Sequence, residues 1–105
     1  MLDLEDSTFQ KETETGIAVI DFYADWCGPC RAIMPTVEAM AKDYEGTGVV
    51  VAKVNVDNCP ILQQQFGIRS IPAFVVLKDG VEIARQVGSA SLVEKIKEII
   101  EKTKS

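Results

Sequence analysis

Ile17-Ala18-Val19-Ile20-Asp21-Phe22-Tyr23, followed at once by Ala24-Asp25-Trp26-Cys27-Gly28-Pro29-Cys30, is the stretch on which the fold turns. Seven residues, mostly β-branched or aromatic and preceded by Gly16, read as a buried strand. Beyond the cysteines, Ile33, Val37, Met40, Ala41 and Tyr44 recur at helical spacing, and Gly46 and Gly48 end the pattern. The two cysteines therefore stand at a helix N-terminus, where free backbone N–H groups and the helix dipole favour an anion. Thiolate rather than thiol attacks a disulfide, so a place that stabilises thiolate suits thiol–disulfide exchange.

The three-residue spacing puts both sulfurs on one helical face but at different depths. Cys27, at or before the first turn, is expected to have an exposed sulfur close to free N–H groups. Cys30, one turn deeper, is expected to be shielded by packing. Cys27 would then attack a target disulfide, and Cys30 would attack Cys27 and release the reduced target. Pro29 is tolerated because a first-turn N–H lacks a helical partner anyway. A structural zinc site wants four Cys or His ligands, but the chain has no histidine and only one further cysteine. Zinc would need a second chain; zinc or iron–sulfur binding and two incidental core cysteines are the readings set aside, and no metal or cofactor is expected.

The rest of the chain alternates strand and helix signals with short connections. Asp6-Ser7-Thr8-Phe9 looks like a helix start with several possible caps. Val49 to Val56 reads as a second buried strand, and Cys59-Pro60 opens a short helix closing at Gly67. Phe74 to Leu77 and Val81 to Val87 read as strands of a hairpin around Lys78-Asp79-Gly80, because Asp-Gly suits positive φ. A last helix carries Leu92, Ile96, Ile99 and Ile100 on one face. A βαβ section followed by a hairpin and a helix implies an α/β fold, a mixed sheet covered by helices.

The 105 residues suffice for one domain with a single core. A net charge of −5 argues against nucleic acid or anionic membranes as main partners, both of which need clustered basic residues. No stretch reaches the ~18 apolar residues that span a bilayer. The acidic start, Met1 to Asp6, lacks the basic and apolar regions of a signal peptide, and three cysteines do not make a secreted disulfide framework. A cytoplasmic setting and a monomer are the resulting expectations; a mature form without its targeting sequence would look the same.

Two charges interrupt the apolar strands. Asp21 is a carboxylate in the first, and burial would raise its pKa unless a cation paired with it. Lys53 is the matching charge in Val49 to Val56. Each could instead lie at a strand end and reach solvent. If buried, Asp21 is placed to take the proton from Cys30 as that thiol becomes a nucleophile.

Asp21-Phe22-Tyr23-Ala24-Asp25-Trp26-Cys27-Gly28-Pro29-Cys30-Arg31 through Pro35, with Gly67-Ile68-Arg69-Ser70-Ile71-Pro72 downstream, resembles the thioredoxin family, over about Phe9 to Ile100. The resemblance implies a five-stranded mixed sheet flanked by four helices. It implies protein-disulfide reduction on diverse disulfide-containing substrates, with thioredoxin reductase restoring the dithiol. Asp21 and Lys53 match the family's buried acid and its lysine neighbour. Ile71-Pro72 would be a cis-proline loop beside the dithiol, where the Ile71 backbone pairs with an extended substrate; sequence alone favours a trans bond. Trp26, Gly28, Pro29, Ile71, Pro72 and Gly88 would form a flat, mostly apolar substrate surface. Read singly, Trp26 could be a core aromatic and Gly88 a turn glycine.

Pro35 should kink its helix. Ala73 departs from the threonine many relatives carry, with an expected effect on substrate contacts. Cys59 departs from the polar cap usual at its position, and reads either as a packed thiol or as a regulatory one activated by the helix N-terminus. A redox-independent binding or assembly subunit using the same surface is the competing reading.

Overall fold

Strand β2 (Ile17–Tyr23) is buried along its whole length, so both of its faces must be covered. In the computed structural model, which describes residues 1–88 and 92–104, it is the middle of a five-stranded sheet of order β1-β3-β2-β4-β5. Its neighbours are β3 (Val49–Asn55), parallel to it, and β4 (Ala73–Lys78), antiparallel. β5 (Val81–Val87) pairs antiparallel with β4, and β1 (Leu2–Asp3) pairs parallel with β3 at the other edge. The expected mixed sheet is therefore the one observed.

Alternation along the strands divides the core in two. Ala18, Ile20 and Phe22 of β2, with Ala52, Val54, Val75 and Leu77, pack against Phe9 of α1 (Phe9–Thr13) and Leu62 of α3 (Pro60–Gln65). Val19, Val51, Phe74 and Val76 face Val37 and Met40 of α2 (Gly28–Asp43) and Leu92, Ile96 and Ile100 of α4 (Leu92–Lys104). Each sheet face thus carries two helices, which is what β-strands apolar on both sides require. α2 continues through Pro35, which lies inside it on an exposed position. The β4–β5 turn has Asp79 at φ 50° and Gly80 at φ 82°, the two positive values a tight hairpin turn demands.

Two local features differ from the sequence reading. β1 has only two residues, too few to carry a period-2 pattern, and is held by its pairing to β3 and by Leu4 N–H donating to the Lys53 carbonyl at 2.9 Å. The capping also differs. Thr8 is the N-cap of α1 but makes no side-chain cap; its hydroxyl accepts from Glu5 N–H at 3.0 Å. Asp6 instead reaches α3, accepting from Leu62 N–H at 3.0 Å and Ile61 N–H at 3.4 Å. The positional N-cap of α3, Cys59, makes no side-chain cap, so a carboxylate from the N-terminal segment fills the role.

Replacing Asp6 with alanine removes that cap. The expected loss is about 1 kcal/mol of stability, the usual worth of a capping oxygen, with Asp6→Asn losing less. Urea denaturation measures both; an unchanged midpoint for Asp6→Ala would show that the contact contributes nothing.

Candidate active site at the end of the central strand

β2 ends at Tyr23, and four residues later the chain enters α2. Cys27 N–H donates to Ala24 carbonyl at 3.1 Å, closing the turn between them. Cys27 is the N-cap of α2 with extended backbone (φ −84°, ψ 106°), and its sulfur accepts from Cys30 N–H at 3.2 Å. Sulfur thus occupies the place a serine or aspartate oxygen takes in an ordinary helix cap. A thiolate there would receive a charge-assisted hydrogen bond and the positive end of the helix dipole. Pro29, in the first turn, removes an N–H that no helical carbonyl could have accepted.

Cys27 and Cys30 are joined as a disulfide, with Cα atoms 5.2 Å apart. Cys27 keeps 5% of its surface and Cys30 1%. The expected order of depth holds, but Cys27 is not the exposed residue the spacing suggested. The Ile71 carbonyl oxygen lies 3.9 Å from its sulfur, and both cysteines pack into the sheet's α1–α3 side.

The loop facing the disulfide carries a cis Ile71-Pro72 peptide bond, in line with the family resemblance and against the trans bond that sequence alone favours. Gly88, at φ 80°, donates its N–H to the Pro72 carbonyl at 3.0 Å and so ties the end of β5 to this loop. Trp26 is 67% exposed, which excludes the core-aromatic alternative. Its indole N–H donates to Asp57 Oδ2 at 2.9 Å. Gly28, Pro29 and Gly88 are exposed and Ile71 is half-buried, whereas Pro72 is buried and shapes the loop from beneath. Ala73 is 1% exposed and pairs with Phe22 and Val87, so its side chain packs in the core instead of meeting substrate.

Asp57 was not foreseen. No signal along the chain pointed to it: β2 and β3 run in register to Tyr23 and Asn55, and that pairing brings the residues just beyond each, Trp26 and Asp57, side by side. Asn55 Oδ1 accepts from Asp57 N–H at 3.0 Å and fixes that turn.

Asp21 is mid-strand and 1% exposed, so the strand-end alternative fails for it. Neither carboxyl oxygen accepts a hydrogen bond from the described residues. Burial pushes the carboxyl up from 3.8 to about 7, with the positive charge of Lys53 opposing. Lys53 is directly across from Asp21 in the β2–β3 register and is half-buried. Its ammonium lies 5.4 Å from the centre of the Tyr23 ring. Cys59 is buried, with its thiol directed at the Leu4 carbonyl at 3.6 Å. Burial first, and then the charge of Asp6, raise its pKa. The helix N–H groups that would have activated it are already taken by Asp6, so it is a packed thiol.

No group of histidine, cysteine and acidic side chains suited to a metal occurs among the described residues. The arrangement holds a reversible sulfur pair at a helix N-terminus, a flat rim with an exposed indole, and a buried acid that changes protonation near neutrality.

The thioredoxin family model matches residues 1–102. The thioredoxin of Staphylococcus saprophyticus is 37% identical over 102 residues, spanning 97% of this chain and 96% of its own. Thioredoxin 2 of Chlorobaculum tepidum is 43% identical over 86 residues, 80% and 78% of the two chains. Among solved structures, Plasmodium falciparum thioredoxin superposes with a TM-score of 0.85 at 31% identity, covering 97% of this chain and 98% of that one.

A raised folded-state pKa in an acid makes stability fall as pH climbs. Below pH 3.8 Asp21 is protonated whether folded or unfolded, and it has no effect. Between 3.8 and about 7 the unfolded chain ionises first, and above that window the full penalty applies. At about 1.4 kcal/mol per unit the penalty is about 4 kcal/mol. Asp21→Asn is therefore expected to raise stability by up to that amount at pH 8 and by little at pH 4. Parallel unfolding curves for the two proteins across this range would expose a wrong assignment.

Proposed function

Because the chain belongs to the thioredoxin family and is a thiol–disulfide oxidoreductase, we propose that it acts as a general reductase of protein disulfides. The observation carrying this reading is the Cys27 sulfur at the α2 N-cap, accepting from Cys30 N–H with Cys30 buried behind it. In the dithiol form, Cys27 as thiolate attacks one sulfur of a substrate disulfide. A mixed disulfide forms, and the other substrate sulfur leaves as thiolate. Cys30 then gives its proton to the Asp21 carboxylate and attacks the Cys27 sulfur. The Cys27–Cys30 disulfide forms, the second substrate sulfur departs, and two electrons have passed from protein to substrate.

Asp21 suits the proton step because its pKa lies near 7, where it can both accept and return a proton. Lys53 supports the anionic form that accepts. Trp26, Gly28, Pro29 and Ile71 make up the rim that a substrate covers, with the Ile71 backbone available for strand addition. This surface places few demands on sequence, which fits many partners. The intervening Gly28-Pro29 supplies no cation between the sulfurs; less thiolate stabilisation favours a reducing role. Thioredoxin reductase would return the two electrons, in a cytoplasmic setting and with the protein a monomer.

Cys30→Ser is expected to accumulate mixed disulfides through Cys27, seen as adducts by mass spectrometry. Trapping through Cys59 would overturn the roles. The Cys27→Ser, Cys30→Ser double variant should lose insulin-disulfide reduction entirely; a biological role surviving in it would favour the redox-independent binding subunit. Asp21→Asn should slow release of the mixed disulfide at neutral pH and flatten its pH profile around 7. Identical profiles for variant and parent would remove Asp21 from the proton step.

A further inference from the structure

The short edge strand β1 brings a second acid into line with the proton site. Asp3 is directly across from Lys53 in the parallel β1–β3 register, and Lys53 is directly across from Asp21 in the parallel β2–β3 register. Residues aligned in this way in a parallel sheet project to the same face. One row therefore runs acid, base, acid across three strands, with an exposed carboxylate at the edge and a buried one in the middle of the sheet.

Lys53 makes no ion pair with either acid among the described residues. Its ammonium is over the Tyr23 ring instead, on the wall of a cleft of about 310 Å³ that Asp25, Arg31 and Glu38 also line. The Tyr23 hydroxyl senses the same cluster. Its pKa is raised first by burial and then by the charges of Asp3, Asp25 and Asp21. A long, flexible ammonium that is bound tightly to neither neighbour can be drawn to one or the other.

We propose that Asp3 is a positioning residue for the proton step: by drawing the Lys53 ammonium toward β1, it withholds that charge from Asp21 and keeps Asp21 ready to hold a proton. The inference rests on the reading of Asp21 as proton acceptor. It adds an exposed residue of the N-terminal strand to the machinery that sets when that acid accepts.

The direction and size of the effect follow from geometry. Adjacent strands are about 4.8 Å apart, so Asp3 and Asp21 are separated by about 10 Å, close to the screening length at 0.1 M salt. Removing the Asp3 charge lets Lys53 turn to Asp21 and favours the carboxylate. The charged and titratable groups that line the cleft with Lys53 are Tyr23 and Asp25 from β2 and its end, and Arg31 and Glu38 from α2. On β4 the residue across from Asp21 is Phe74, which carries no charge. None of these residues is substituted in the test.

The test is an NMR titration of the Asp21 carboxyl carbon in the oxidised protein, where neither Cys27 nor Cys30 titrates. Asp3→Asn and Asp3→Ser, measured together, are expected to lower the Asp21 midpoint by about 0.3 pH unit at low ionic strength. Most of that shift should vanish near ~0.5 M salt. Glu12→Gln, an equal change of charge at an exposed position of α1, should leave the midpoint in place. In a Lys53→Met background, Asp3→Asn should produce less than half of its shift. No shift, an equal shift from Glu12→Gln, or full retention in the Lys53→Met background would overturn the proposal. The pH profile of mixed-disulfide release, measured on the same variants, tests the underlying reading separately. If the carboxyl shift appears while the parent profile is flat around pH 7, Asp21 is not the acceptor but Asp3 still governs its titration.

Discussion

Complete burial of β2 is the constraint from which the site follows. A seven-residue strand without exposure needs a strand on each side and helices on both faces, and the chain provides both. Its last residue then emerges at the end of the sheet beside the last residue of β3. The short turn that follows leads into α2, which lies back over the sheet. Cys27 becomes a cap because of where β2 stops. The same strand carries Asp21 two residues before its end, so the acid and the sulfur pair are delivered by one continuous piece of backbone.

That piece combines two opposing electrostatic settings. At the mouth of α2, unsatisfied N–H groups favour negative charge on sulfur. Inside the sheet, desolvation opposes negative charge on Asp21, and only the half-buried Lys53 moderates it. The protein keeps an ionisable acid in its core despite a penalty of several kcal/mol. An amide would be less troublesome for folding, but it could not take a proton. On the proposed reading of Asp21 as proton acceptor, stability is given up here for chemistry.

The elements with strong periodicity were legible in sequence: β2, α2, β3, the hairpin and α4 all lie close to their expected bounds. The helix-cap position of Cys27 was legible too, because strand, dithiol and helix follow one another without a gap. Three things were not. β1 is shorter than one alternation, so only pairing defines it. Asp6 looked like a local cap for α1 but serves α3, because a side chain's partner in a folded chain need not be near in sequence. Trp26 and Asp57 meet only through the alignment of β2 and β3, which order along the chain does not supply. The cis bond at Ile71-Pro72 was legible only through family resemblance.

The N-terminal segment does more than close an edge. Leu2 and Asp3 pair with β3, the Leu4 carbonyl receives the Cys59 thiol, and Asp6 caps α3 across a separation of 56 residues. α3 has six residues, too few for a helix to persist by itself in water. Its cap comes from a residue more than half the chain away, across a loop whose closure costs more entropy than a local turn. Loosening that one segment would therefore be felt far along the chain, as a helix left without its cap.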